Sequence, residues 1–149
     1  MCSLVSQADA ESNLAAPAKL SEHEPDDKQS SSCHFNNVDE AGLKVSGLMV
    51  EIHTDEDVNE AKQEIALDKK IRNGAETLSG IGDDALLWAN KQPSVGVDAP
   101  GATVAMLPDQ QIVIAIKGAK RIEIETDYFG KPRPTDSLKA LAKKLAEHL

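Results

Sequence analysis

Aromatic residues are scarce in this chain, and basic residues are not in excess. Phenylalanine, tryptophan and tyrosine make up 3% of the 149 residues, so the chain offers no row of rings on which bases could stack. Lysine and arginine number 16 against 25 aspartates and glutamates, and the formal net charge is −9. Nucleic-acid binding depends on neutralising phosphates with lysine and arginine, so the composition argues against nucleic acid and against an anionic membrane surface.

Long apolar runs and an export signal are also missing. No stretch approaches the roughly 18 to 20 apolar residues of a membrane span, and no basic segment followed by an apolar one opens the chain. Taken literally, this describes a cytosolic protein; the alternative is that Met1 follows an export signal that has been removed. The length predicts one globular domain over residues 1–149, with a core that needs no metal.

The clearest secondary-structure pattern is a strand pair near the C-terminus. Residues 111–117 form a nearly continuous β-branched run, which is typical of a strand covered on both faces. Residues 121–126 alternate apolar with charged, which predicts a half-exposed strand with Glu123 and Glu125 facing water.

Three helices are predicted to pack on this sheet. The first begins at Ser6, with Asp9 completing a capping box, and the second begins after Thr54 as N-cap. In the second helix, Leu67 and Ile71 fall opposite the main apolar face, so either its last turn unwinds or that end is covered on two sides. The last helix carries one apolar stripe, formed by Leu138, Leu141, Ala142, Leu145 and Leu149.

The remaining patterns predict further strands and one loop. Residues 18–32 are polar and predict a mobile loop. Residues 85–89 fit a strand or a short helix. The other predicted strands are Cys33–Asn36, Leu43–Ile52 with a bulge at Ser46–Gly47, Glu76–Leu78 and Thr103–Leu107. The expected fold is therefore α+β: an antiparallel twisted sheet of about five to seven strands with an N-terminal, a middle and a C-terminal helix packed on it.

The two cysteines allow more than one interpretation. A bond between Cys2 and Cys33 would close a loop of roughly 30 residues, worth about 3 to 4 kcal/mol in the chain-entropy model. The alternative is two buried thiols in a cytosolic protein. Without an export signal, the residues themselves leave both open.

Four short segments, taken in order, carry a resemblance to a known group of proteins. They are Cys2–Val5, Cys33–Phe35, Ser79–Ala85 and Leu138–Ala146. Together they resemble the small secreted lipoproteins of bacterial cell envelopes, many of them actinobacterial and mostly without an assigned function. The resemblance implies a Cys2–Cys33 disulfide outside the cytoplasm, a removed signal and lipid-bearing linker, and a membrane reached only through that anchor. A second assignment makes Cys2 the lipidated cysteine, although a capped helix follows it within four residues.

The glycine-rich turn is the first candidate for chemistry. The Gly80-Ile81-Gly82-Asp83-Asp84 segment could cradle a phosphate or pair two carboxylates for acid–base work. A phosphate loop needs further glycines and usually a lysine, and adjacent aspartates repel a phosphate. We therefore interpret Gly80, Gly82 and Asp83 as a structural turn.

Metal, cofactor and catalytic sites have little support from the sequence. The densest set of candidate metal ligands is His23, Glu24, Asp26 and Asp27, with His34 or His53 as further candidates. Their spacing matches no zinc or calcium pattern, so we interpret them as a solvated acidic loop. Cys33 and His34 are sequence neighbours, whereas catalytic cysteine and histidine meet through the fold. We predict no metal, no cofactor and no catalytic residue.

Three functions follow as hypotheses. The first is a non-enzymatic, extracytoplasmic binding domain for an unknown protein or small ligand. The second is a carrier for a small apolar ligand between the sheet and the last helix, with large side chains available as a lining: Met49, Trp88, Met106 and Phe129. The third is a hydrolase or metal-dependent enzyme that uses the acidic residues, which no constellation supports.

Overall fold

The protein folds as one antiparallel sheet with helices on both faces. The computed structural model describes residues 2–24, 29–91, 108–129 and 135–149. The strands are β1 (Lys19–Glu24), β2 (Ser30–Val38), β3 (Lys44–Thr54), β4 (Glu76–Leu78), β5 (Asp84–Asn90), β6 (Asp109–Lys117) and β7 (Lys120–Tyr128). The helices are α1 (Gln7–Leu14), α2 (Val58–Ile71) and α3 (Thr135–His148). The strand order is β1-β2-β3-β7-β6-β5-β4, which confirms the predicted α+β class.

The two faces of the sheet carry different helices. Helices α1 and α3 contact one face and α2 contacts the other, where it packs on β5, β6 and β7. Strand β6 lies between these layers, so its side chains are buried on both sides. On the α2 side, Ile114 packs with Ile65. On the α3 side, Val113 packs with Leu141. This double coverage explains why the sequence of β6 is continuously apolar.

Helix α3 follows the predicted apolar stripe. Leu138, Leu141 and Leu145 are buried against the sheet, as are the small side chains Ala142 and Ala146. Burying one leucine side chain contributes roughly 1.5 to 3 kcal/mol, so this stripe is a main anchor of the helix.

The N-terminal segment is fixed at two points. Ser6 and Asp9 form the predicted capping box: the Asp9 backbone N–H donates to Ser6 Oγ (3.1 Å), and the Ser6 N–H donates to Asp9 Oδ2 (2.8 Å). Lys144 Nζ on α3 donates to the same carboxylate at 2.7 Å. Cys2 and Cys33 form a disulfide, with their Cα atoms 5.6 Å apart, that attaches the chain ahead of α1 to β2.

Helix α2 begins later than the sequence predicts. Thr54 is not its N-cap but the last residue of β3, because Thr54 pairs with Lys120 on β7. The cap is Asp57, whose side chain accepts hydrogen bonds from the backbone N–H groups of Asn59 and Glu60. Leu67 and Ile71 are 50% and 65% exposed, so neither predicted explanation of their position was right.

Three other segments are clarified by strand pairing. Residues 19–24, predicted as part of a loop, form β1, because β2 supplies antiparallel backbone partners that a polar sequence does not reveal. Residues 84–90 form a strand, which settles the strand-or-helix alternative. The bulge in β3 falls at Val45, where the register against β2 shifts, next to the predicted position. The predicted strand 103–107 lies outside the described residues. Within the described ranges, no helix is long and apolar enough to cross a membrane.

Candidate functional site: an acidic face of the sheet

The α2 side of the sheet is covered unevenly. Helix α2 packs over β5, β6 and β7, and in the part of the chain that the structure describes no helix packs over β2 and β3 on that side. We refer to the uncovered side chains of β2, β3 and the adjoining part of β7 as the open face. Its members are Ser30, Ser32, His34, Asn36, Met49, Glu51, His53, Glu123, Glu125 and Asp127.

Strand register brings the acidic residues of the open face together. Glu123, Glu125 and Asp127 alternate along β7, so their side chains point to the same face. Glu51 on β3 pairs directly with Glu123, and directly paired residues in an antiparallel sheet share a face. Two carboxylates in that position repel each other. The arrangement therefore lowers stability unless other groups compensate for it.

The compensation is incomplete. Lys44 Nζ lies 3.0 Å from Asp127 Oδ2, and an Arg72 guanidinium nitrogen lies 3.8 Å from Glu123 Oε1. Arg72 is shared, since its Nε also bonds the Asp68 carboxylate at 3.0 Å. Glu51 is satisfied by a neutral donor, the Ser30 hydroxyl, at 2.7 Å. Arg121 continues the same side of β7, but its guanidinium lies 3.6 Å from the Glu64 carboxylate on α2. Four carboxylates thus meet three cations, two of which are shared with acidic residues of α2, and the open face keeps an excess of negative charge.

Glu125 is the most perturbed member of the face. Burial, together with the Asp127 carboxylate beside it, raises the pKa of Glu125 to about 7. The Gln110 amide nitrogen donates to Glu125 Oε1 at 2.6 Å. Burial also raises the pKa of Glu123, despite the nearby Arg72. Near neutral pH, Glu125 is therefore protonated in part of the molecules.

This corrects the expectation that Glu123 and Glu125 face open water. Both side chains are partly buried, because β7 lies between β3 and β6 in the interior of the sheet. On β6, Ile112 pairs with Glu125 and Ile114 pairs with Glu123, so each glutamate is flanked by an apolar side chain of the α2 core. The alternating sequence of β7 is therefore that of an interior strand with one polar face.

A small cavity opens on this face. It has a volume of about 200 Å³, and its lining includes His34, Met49 and Glu125. Gly47 makes part of it accessible: a Cβ atom there would lie 2.7 Å from Lys44 Nζ. The missing side chain lets Lys44 cross the strand to reach Asp127. The cavity thus joins an apolar thioether, an imidazole and a carboxylate in one place.

The glycine-rich turn connects β4 and β5 and lies away from the open face. Gly80 and Gly82 have positive φ angles of 76° and 58°. Asp83 Oδ2 accepts a hydrogen bond from the Gly118 N–H at 2.7 Å, and this bond, with the nearby Lys117 ammonium, lowers the pKa of Asp83. Asp84 instead bonds Lys69 Nζ at 2.6 Å. The two carboxylates point to different partners, so they do not form an acid–base pair.

Among the residues that the structure describes, the other predicted candidates are not assembled into one centre. Asp26, Asp27 and the side chains of His23 and Glu24 lie outside the described part, and in the described ranges no three His, Cys, Asp or Glu side chains are placed to hold a metal ion. His53 Nε2 lies 3.6 Å from Asp55 Oδ1 at the end of β3, while His34 lies in the cavity. The cysteines, being disulfide-bonded, are not nucleophiles.

The described members of the proposed carrier lining are also dispersed. Met49 lies on the open face and Trp88 lies beside α2, with its ring centroid 5.0 Å from the Arg72 guanidinium carbon. Phe129 is 42% exposed. Met106 lies outside the described residues.

Comparison of the chain with protein-family models, with curated proteins and with solved structures found no match.

Proposed function

We propose that this chain is a non-enzymatic binding domain that holds a positively charged protein segment on its open face. The observation that carries the proposal is the set of four carboxylates on one side of β3 and β7, where Glu51 and Glu123 stand directly opposite each other. Such a pairing costs stability in the free protein. A cationic partner would offset that cost, because it would neutralise the charges that Lys44 and Arg72 leave unpaired.

The spacing of the carboxylates indicates the form of the partner. Alternate residues on β7 place Glu123, Glu125 and Asp127 about 7 Å apart along the strand. Lysine or arginine at alternate positions of an extended segment has the same repeat. A segment laid along β7 would meet each carboxylate in turn, while Met49 and the adjoining cavity accept an apolar side chain.

The compartment that we propose is the bacterial cell envelope, outside the cytoplasm. The Cys2–Cys33 disulfide supports this, because disulfides persist in oxidising compartments and are rare in the cytosol. The resemblance to secreted envelope lipoproteins points the same way. In this proposal the domain is attached to the membrane only through a lipid anchor and presents the open face to its partner.

The binding proposal can be tested with a peptide of matched spacing. The probe is acetyl-Lys-Thr-Lys-Thr-Lys-amide, and its isomer acetyl-Thr-Lys-Lys-Lys-Thr-amide has the same charge with a different spacing. We expect the first to bind at least about threefold more tightly at low salt, and to perturb the backbone amide signals of Glu123 and Asp127 in a nuclear magnetic resonance titration.

A pair of double variants separates the open face from the net charge. Glu51→Gln with Glu123→Gln removes two charges from the open face, whereas Glu40→Gln with Glu56→Gln removes two from exposed positions elsewhere. We expect the first pair to weaken binding at least about fivefold and the second to change it less than about twofold. Equal effects of the two pairs would show that the probe senses only the overall negative charge, and the proposal would be wrong.

A further inference from the structure

A second surface, with lysines in its lining, lies at the β4 edge of the sheet. Two adjoining cavities, of about 460 and 420 Å³, share Gly80 and Lys143 in their linings. The first lies between β4 with the turn after it and α3, and the second continues past Gly82 to Lys117. We refer to the two together as the edge groove. It lies on the α3 side of the sheet and is separate from the open face.

The edge groove is lined by three lysines and two glutamates in a chain whose net charge is −9, and Lys117 is already paired with Asp83. Its lysines are Lys117, Lys139 and Lys143, and its glutamates are Glu76 and Glu147. The glutamates are loosely engaged: Lys139 Nζ lies 4.0 Å from Glu76, and Lys143 Nζ lies 4.0 Å from Glu147. The Lys143 side chain is 60% exposed, so its ammonium group remains accessible to an anion.

The aspartates of the turn do not oppose an anion in this groove. Asp83 bonds the Gly118 N–H and lies 3.2 Å from Lys117 Nζ, and Asp84 bonds Lys69 on the α2 side of the sheet. Neither carboxylate lines the groove. The charge repulsion that the sequence suggested is thus compensated locally.

Some backbone groups in the groove have no partner among the described residues. Strand β4 is the last strand of the sheet that these residues form, so alternate residues direct their N–H and C=O groups outward. Beyond its end, no described residue accepts a hydrogen bond from the N–H of Gly80 or Gly82. Facing them on α3, Ala140 contributes only a methyl group between Lys139 and Lys143. An extended peptide in the edge groove would therefore find both backbone hydrogen-bonding partners and enough space.

We propose that the edge groove binds the C-terminal end of an extended peptide. The peptide adds to the outer edge of β4, and its terminal carboxylate accepts hydrogen bonds from the Gly80 N–H and from Lys143 Nζ. Strand addition supplies affinity through main-chain bonds, and the charged terminus fixes the register. A terminus fits better than an internal segment, because β4 ends at Leu78. The turn that follows β4 offers no strand edge along which a longer peptide could continue to pair.

The test uses acetylated pentapeptide pools made from valine, threonine and isoleucine. One pool ends in a free carboxylate, the second in an amide, and the third has a free carboxylate but N-methylated backbone nitrogens. Binding to the full chain is followed by the amide signals of Thr77, Gly80 and Gly82. We expect the free-acid pool to shift these signals, and the amidated and N-methylated pools to bind at least about fivefold more weakly.

Two charge-reversal variants complete the test. Lys143→Glu reverses the proposed anchor, and Lys70→Glu makes the same change at an exposed position of α2. We expect the first to abolish binding of the free-acid pool and the second to leave it unchanged, with both spectra otherwise showing the native fold. Equal binding of acid and amide pools would overturn the assignment of the carboxylate. Equal binding of the N-methylated pool would overturn strand addition, and shifts of the same size with inorganic phosphate alone would identify a general anion site instead.

Discussion

Replacing Glu125 by glutamine is the sharpest test of the electrostatics of the open face. The glutamine side chain has the same shape, so its oxygen keeps the hydrogen bond from Gln110. Its amide nitrogen can donate to Asp127 in place of the proton that a neutral Glu125 carries. The change thus removes one ionisable group from the face while preserving its packing. We expect Glu125→Gln to stabilise the protein at pH 8 and to have little effect at pH 5.

The sign follows from the direction of the pKa change. In the folded protein the pKa of Glu125 is raised from 4.5 to about 7, so the folded state holds this proton more tightly than the unfolded state. The stabilising contribution is complete below about pH 4.5 and is lost as the pH rises through 7. A difference of about 2.5 pH units corresponds to about 3 kcal/mol. Because the face is open to solvent, screening reduces the expected effect to about 1 to 2 kcal/mol.

The assay is urea unfolding followed by the fluorescence of Trp88, the one tryptophan of the chain. The free energy of unfolding is compared at pH 5 and pH 8 for the wild type, for Glu125→Gln and for the exposed control Glu40→Gln. We expect the wild type to lose about 1 to 2 kcal/mol more than Glu125→Gln between the two pH values. If Glu125→Gln and Glu40→Gln show the same pH dependence as the wild type, Glu125 does not carry the raised pKa and our account of the face fails.

Two further predictions concern the framework that holds the sites. Reducing the Cys2–Cys33 bond should lower the unfolding free energy by about 3 to 4 kcal/mol, since the sequence separation is 31. In cells that make the protein, both cysteines should resist alkylation until the disulfide is reduced. Free thiols would contradict the envelope location. Gly82→Ala should destabilise the fold by at least about 2 kcal/mol, because a Cβ there collides with the Ile116 carbonyl oxygen. Gly74→Ala is the matched control: its φ is also positive but a Cβ meets nothing, so thermal unfolding should show a loss of only about 1 kcal/mol.

Much of the fold could be predicted from the sequence because local patterns agree with the tertiary structure. The apolar run of β6 and the stripe of α3 each match the period of the element that they form. The cap of α1 was predicted for the same reason, since Ser6 and Asp9 act within one turn. The cap of α2 was predicted wrongly. Thr54 has the chemistry of a cap, but pairing with β7 keeps it in a strand, and Asp57 takes the role.

The open face was out of reach because it depends on strand order. The sequence shows Glu123 and Glu125 as polar positions of a strand, and nothing nearby indicates that Glu51, more than seventy residues earlier, stands opposite Glu123. The raised pKa of Glu125 comes first from burial, which depends on the strands on either side of β7, and then from Asp127 and Glu123 on β7 itself. Strand β1 was missed for a related reason: its sequence is polar, and its partner on β2 supplies the backbone hydrogen bonds.

The measurement that tests the central claim most directly is the affinity of the spaced lysine peptide at pH 5 and pH 8. Deprotonation of Glu125 adds one negative charge to the open face over this range, so we expect the dissociation constant of the wild type to fall by at least about threefold at pH 8. In Glu125→Gln that change should largely disappear, while Glu40→Gln should behave as the wild type. An equal gain in affinity for all three proteins would place the peptide elsewhere on the surface and contradict the proposed function of the open face.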